Sequence, residues 1–151
     1  MYDHIKFHTD ENYPAGLSED HAATHIGMYW AWAAAQGLAN PVWQSAPETA
    51  EDFAAMLKGG ISGAEFLRRH MDGALTRDDF NELGQRFTSF YYDDEDEGYG
   101  KFMEDYVVTM NTPELGSFYH VADNADNRAK LEAVFQTAFG QWQGSLKNKA
   151  V

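Results

Sequence analysis

The 151-residue sequence contains no cysteine, and its 11 lysines and arginines are far outnumbered by 24 aspartates and glutamates. Without cysteine, the chain has no disulfides, no zinc–thiolate site and no thiol nucleophile. The formal net charge of −13 repels nucleic acid and anionic lipid, so we expect neither as a partner. A cysteine-free domain also fits a reducing compartment, and we expect a cytoplasmic protein.

Several sequence motifs are missing as well. No apolar run is long enough to cross a bilayer, and the N-terminal MYDHIKFHTDENY lacks the basic and apolar regions of a secretory signal. The phosphate-binding motifs G-x-G-x-x-G and G-x-x-x-x-G-K-[ST] and the nucleophile elbow G-x-S-x-G do not occur. The sequence therefore predicts no membrane association and no cofactor.

The residues that are present indicate a helical domain. The hydrophobic fraction of 44% and aromatic fraction of 15% suffice for one core, so we expect a single domain over residues 1–151 with a frayed tail over 146–151. Helical periodicity and capping residues predict about six helices, beginning near Ser18, Thr49, Ser62, Thr76, Phe102 and Asn124. The segments YDHIKFH and SFYHV might pair as short strands. The predicted fold is mainly α: a single-domain helical bundle with a central buried helix and at most a small two-stranded β element.

The stretch HAATHIGMYWAW, residues 21–32, is predicted to be the central helix because hardly any charged surface remains on its helical wheel. Gly27 disfavours the helix by about 1 kcal/mol, which predicts a packing role. His21 and His25 stand one turn apart and could share a metal ion, but Ala22 replaces the glutamate of the metalloprotease motif. The favoured interpretation is that His25 is a core histidine bonded to backbone or to a carboxylate. Whether His4 and His8 converge with the helix histidines stays open.

The acidic run DDEDEGYGKFME resembles a calcium-binding loop. Asp93, Glu95, Glu97 and Glu104 would be the metal ligands, and Gly98 would permit the turn. The glutamates and the lack of a second loop argue against this interpretation. The same region instead suggests a docking surface for a basic protein. Its predicted partner-binding residues are Tyr91, Tyr92, Asp93, Asp94, Glu95, Asp96, Glu97 and Tyr99.

The segments THIGMYWAW, ISGAEFL, DGALT and YHVAD resemble an uncharacterised family of small acidic bacterial proteins with a Thr-His-x-Gly-Met helix motif. That family is similar to the immunity proteins of polymorphic toxin systems. The resemblance implies no catalytic activity that could be transferred to this chain. Its matching residues are Thr24, His25, Gly27, Met28, Trp32, Tyr119, His120, Val121 and Asp123.

Two classes of function follow from these observations. The favoured one is a non-enzymatic acidic binding protein, an immunity or inhibitor protein that neutralises a cognate bacterial toxin through a basic surface of that toxin. The alternatives are a metal-dependent hydrolase that uses His21 or His25, and a calcium-binding module at residues 93–104.

Overall fold

The computed structural model describes residues 1–93 and 100–149 and is mainly α-helical, as the sequence predicts. Its only strands in these residues are β1 (Asp3–His4) and β2 (Ala74–Leu75), which pair antiparallel with Asp3 opposite Leu75. Short 3-10 helices precede α1, α5 and α8 and follow β1. The α-helices are α1 (Thr24–Ala35), α2 (Val42–Ser45), α3 (Ala50–Leu57), α4 (Gly63–His70), α5 (Glu82–Tyr91), α6 (Lys101–Met110), α7 (Thr112–Leu115) and α8 (Ala125–Lys149).

Helix α1 is the buried centre of the bundle, which confirms the prediction. Every residue from Thr24 to Ala34 is buried. Trp30 packs against aromatic rings of α3 and α4, while Trp32 contacts rings of α5 and α8. Helices α3, α4, α5 and α8 therefore pack around α1, and the apolar side chains on all of its faces exclude water from the core.

Gly27 has the packing role that the sequence suggests, because α1 and α4 approach each other closely there. A Cβ at Gly27 would lie 2.1 Å from the Ala64 backbone nitrogen, and one at Gly63 would lie 1.9 Å from the Gly27 carbonyl oxygen. The absence of both side chains lets the two helix backbones touch. The two glycines thereby fix the position of α4 on the central helix.

Several helix starts follow the capping chemistry that the sequence predicts. The Ser62 hydroxyl accepts a hydrogen bond from the Glu65 amide at 3.0 Å and caps α4. Thr76 and Asp79 form a capping box, but it caps a single 3-10 turn, and Asn81 caps α5. Ser18 likewise caps the 3-10 turn that precedes α1.

One local prediction is wrong. The segment SFYHV is not a strand: residues Phe118–His120 form a 3-10 helix, and β1 pairs with β2 instead. Helix α8 continues through Gly140 and Gly144 to Lys149, so residues 146–149 of the predicted tail are helical. Beyond Gly144, Leu146 packs against the core and supports a helix longer than the sequence signal suggested.

Within residues 1–93 and 100–149, no helix combines the length and apolar character needed to span a bilayer.

Candidate metal centre

Three potential metal ligands come from the N-terminal segment and the central helix. Asp3 lies in β1, where pairing with Leu75 fixes its backbone. A 3-10 turn over Ile5–Phe7 reverses the chain after β1 and brings His8 back beside Asp3. His25 lies in the first turn of α1. The sheet, the turn and the buried helix therefore direct two imidazoles and one carboxylate to the same point.

The three side chains touch one another. His8 Nε2 lies 2.7 Å from Asp3 Oδ1, His25 Nε2 lies 3.1 Å from Asp3 Oδ2, and the two Nε2 atoms are 3.2 Å apart. The exposed fraction of the side chain is 1% for His25, 9% for Asp3 and 13% for His8. The cluster is thus almost completely removed from water, with His8 as its most exposed member.

Protons alone cannot satisfy all three contacts. Each Nε2 carries either one hydrogen or one lone pair in the ring plane. If both nitrogens carry a hydrogen, both donate to Asp3, but two donors then face each other at 3.2 Å. If one nitrogen has a lone pair, it can accept from the other but cannot donate to the carboxylate.

A single cation resolves this conflict because three lone pairs can point at it together. With metal–ligand bonds of about 2.0–2.1 Å, neighbouring ligand atoms lie about 3.3 Å apart in a tetrahedral site. At octahedral right angles the same bonds give about 3.0 Å. If Asp3 binds through Oδ1, the distances from His8 Nε2 to Asp3 Oδ1 and to His25 Nε2 are 2.7 Å and 3.2 Å, near these values, while His25 Nε2 lies 3.1 Å from the other carboxylate oxygen, Oδ2. One ligand atom from each of Asp3, His8 and His25 lies within 4.8 Å of the other two.

Two tyrosine hydroxyls orient the candidate ligands. Tyr119 Oη lies 2.8 Å from His8 Nδ1, the ring nitrogen that does not face the cluster. When His8 Nε2 binds a metal as a neutral imidazole, Nδ1 carries the hydrogen and donates it to Tyr119. Tyr92 donates from its hydroxyl to Asp3 Oδ2 at 2.5 Å. Such outer hydrogen bonds are typical of metal ligands.

Aromatic rings enclose His25. Its ring centroid lies 4.8 Å from that of Phe118, 6.1 Å from that of Tyr106 and 6.3 Å from that of Phe102. These rings come from α6 and from the 3-10 helix before α8. The polar cluster therefore lies in a low-dielectric enclosure, where charge interactions are stronger than in water.

The enclosure shifts the protonation of the cluster. Burial alone would raise the pKa of the Asp3 carboxyl, but hydrogen bonds and charge from His25 and His8 outweigh burial and lower it. Burial lowers the pKa of His25 despite the opposing influence of Asp3. Burial and the Asp3 carboxylate hold the pKa of the Tyr92 hydroxyl well above its usual value. Asp3 is thus an anion, His25 favours the neutral form that binds metals, and Tyr92 remains a hydrogen-bond donor.

The structure brings together only part of the predicted site. His25 joins Asp3 and His8, whereas His21 lies in the preceding 3-10 turn and is not part of this group of metal-binding side chains. The predicted bond of His25 to a carboxylate is confirmed. Of the predicted calcium ligands, Glu104 is exposed on α6 and Asp93 follows α5, while Glu95 and Glu97 lie outside the described residues.

The predicted partner surface requires a correction. Tyr91 and Tyr92 are 2% and 8% exposed, and their hydroxyls donate to Asp105 and Asp3. They are core side chains, so they cannot be exposed anchors for a partner. Asp94, Glu95, Asp96, Glu97 and Tyr99 lie outside the residues that the structure describes.

The motif residues fall into two groups. Thr24, His25, Gly27, Met28 and Trp32 are all buried in α1. Tyr119 contacts His8, whereas His120 is exposed and its Nδ1 lies 2.6 Å from Ser117 Oγ. Asp123 is exposed and Val121 is buried.

Sequence reasoning missed Asp3, left the role of His8 open and assigned no role to Tyr119 beyond the motif. The available signal was the density of carboxylate and imidazole residues in YDHIKFH. That segment has no helical spacing that would place Asp3 beside His8, because a 3-10 turn makes the approach. Nothing in the local pattern connects either residue to α1.

Comparison with known proteins places the chain in a family. No curated protein and no solved structure matches the chain. A family model described as a domain of unknown function, DUF7832, matches residues 1–121. This range contains Asp3, His8 and His25 together with the two tyrosines that contact them, and it ends before α8. The chain therefore belongs to the DUF7832 family.

Proposed function

We propose that this protein binds one divalent transition-metal ion through Asp3, His8 and His25. The observation that carries the proposal is the convergence of two Nε2 atoms and a carboxylate at separations between 2.7 Å and 3.2 Å. With Asp3 ionised, no distribution of protons satisfies all three contacts, whereas a cation held by Asp3 Oδ1 and the two Nε2 atoms would let three lone pairs point at one centre. The hydrogen bonds from Tyr119 and Tyr92 give additional support, since they hold two of the ligands in place.

The donor set indicates which metals to test. Imidazole nitrogen suits Zn²⁺, Fe²⁺, Ni²⁺ and Cu²⁺, while Ca²⁺ and Mg²⁺ prefer shells made of oxygen. Two of the three proposed ligands are imidazoles, so we expect transition metals to bind more tightly than calcium. A set of two histidines and one carboxylate also occurs in zinc hydrolases and in non-haem iron enzymes. If the protein is a metal-dependent hydrolase, we expect the triad of Asp3, His8 and His25 to hold its metal, rather than His21 and His25.

Calorimetric titration of the metal-free protein with Zn²⁺ tests the proposal. We expect one ion per chain for the wild type and for His21→Ala, a matched control that removes a histidine outside the triad. His8→Ala should lose most of the affinity. Because His8 lies at the edge of the core, its variant is less disruptive than a change at His25. Circular dichroism checks that each variant folds, and equal binding by His8→Ala and the wild type would refute the assignment.

A second candidate function rests on the net charge of −13. An acidic immunity or inhibitor protein would bind the basic surface of a toxin, and electrostatic attraction would speed their association. Because Tyr91 and Tyr92 are buried, they do not contact a partner, and acidic side chains would provide the attraction. Surface plasmon resonance with a basic toxin encoded beside this protein should give an association rate that falls steeply with salt. A rate independent of salt would contradict this function.

A further inference from the structure

We infer that the metal ion at Asp3, His8 and His25 takes a small anion as an additional ligand from solution. This inference rests on the metal-binding function proposed above and concerns the coordination position that the protein leaves open. Three protein ligands leave a tetrahedral ion with one vacant position, as in catalytic zinc sites. The ligand class is a small anion with an oxygen or nitrogen donor, such as hydroxide, a carboxylate or azide.

The described side chains offer no fourth ligand. The chain has no cysteine, and no other histidine, aspartate or glutamate of the described residues belongs to this metal-ligand group. The second oxygen of Asp3 and the Tyr92 hydroxyl are committed to each other, because the hydroxyl donates to Asp3 Oδ2 at 2.5 Å. Tyr119 Oη contacts the Nδ1 side of His8, away from the Nε2 atom that faces the cluster. The additional ligand must therefore come from outside this set of side chains.

Charge selects an anion for this position. A divalent ion, one carboxylate and two neutral imidazoles sum to a net charge of +1. The aromatic rings around His25 leave this charge in a medium of low dielectric, where an uncompensated charge is costly. A monoanion neutralises it, whereas a neutral ligand does not.

The site also offers an approach and a hydrogen-bond donor. His8 is the most exposed member of the cluster, at 13% of its side chain, so a small anion would approach from its side. The Tyr106 ring lies 6.1 Å from the His25 ring between centroids, and its buried hydroxyl has no hydrogen-bond partner among the described residues. A phenol of this kind can donate to a bound anion but cannot donate to a cation.

Titration of the Co²⁺-loaded protein with azide tests the inference. Cobalt absorbs visible light according to its ligands, so appearance of the protein–cobalt spectrum first reports metal binding. Added azide should then shift that spectrum in a saturable manner, with one azide bound per cobalt. Perchlorate, which coordinates weakly, is the control at equal ionic strength and should leave the spectrum unchanged.

The outcomes separate the two proposals. A cobalt spectrum that azide does not change would overturn the anion site while leaving the metal site intact. Equal shifts with azide and perchlorate would also overturn it, because they report ionic strength rather than coordination. Failure of Co²⁺ to bind at all would overturn the metal site and, with it, the anion site.

Discussion

Replacement of Gly27 by alanine should destabilise the protein, although alanine is the better helix former. The new Cβ would lie 2.1 Å from the Ala64 nitrogen and 2.5 Å from its Cα. Ordinary contacts between such atoms are about 3.5 Å, so α1 and α4 would have to separate by roughly 1.4 Å. The obstacle is main chain rather than a flexible side chain, and no rotamer change can relieve it.

The expected magnitude follows from two opposing contributions. Overpacking of a well-packed core costs about 1–3 kcal/mol, and a clash with backbone belongs at the upper end of that range. The gain in helix propensity from glycine to alanine is about 1 kcal/mol. We therefore expect Gly27→Ala to lower the free energy of unfolding by about 2 kcal/mol.

Gly140→Ala is the matched control. Gly140 is an exposed glycine within α8, and a Cβ there would meet no heavy atom within 4 Å. This variant should gain about 1 kcal/mol from helix propensity alone. The two variants should then differ by about 3 kcal/mol, which corresponds to a difference of roughly 6–12 °C in Tm by calorimetry. Equal Tm values would refute the close approach of α1 and α4.

Two further predictions concern three buried side chains of the candidate metal centre and its enclosure: His25, Asp3 and Tyr106. Burial lowers the pKa of His25 in the folded protein. Below about pH 6.5, the His25 imidazole therefore binds a proton in the unfolded chain more readily than in the folded chain. The free energy of unfolding should therefore fall with acidity, by up to about 1.4 kcal/mol per pH unit, until the folded pKa is reached. The lowered pKa of Asp3 acts in the same direction at lower pH, below about pH 3.9. Urea unfolding of the metal-free protein measures this effect, and a stability that does not change below about pH 6.5 would contradict it. Tyr106→Phe removes a buried hydroxyl that has no partner among the described residues, so it should raise the free energy of unfolding by about 1 kcal/mol in the same assay. A loss of stability would show that the hydroxyl is hydrogen-bonded.

The central helix could be predicted from the sequence because its signals are local. The run from Ile26 to Ala34 is apolar on every side, and Gly27 interrupts it only where another helix must approach. Capping residues such as Ser62 act on amides three positions away. Patterns of this kind depend on neighbours in the sequence, so they can be interpreted without the tertiary fold.

The candidate metal centre could be predicted only in part because its contacts are distant in sequence. Asp3 and His25 are 22 positions apart, and Tyr119 lies 111 positions from His8. The spacing of His21 and His25 could not show that residue 21 lies in a 3-10 turn before α1 begins, outside the group that Asp3, His8 and His25 form. The burial of Tyr92 was equally hidden, because its partner Asp3 is 89 positions away.

The most direct measurement of the central claim is an anomalous-scattering map at the zinc absorption edge, from a crystal grown with Zn²⁺. The proposed function predicts one peak between Asp3, His8 and His25, within about 2.0–2.2 Å of a carboxylate oxygen and both Nε2 atoms. A map without density there, or with its peak at a half-buried pair such as His70 and Asp52, would contradict it.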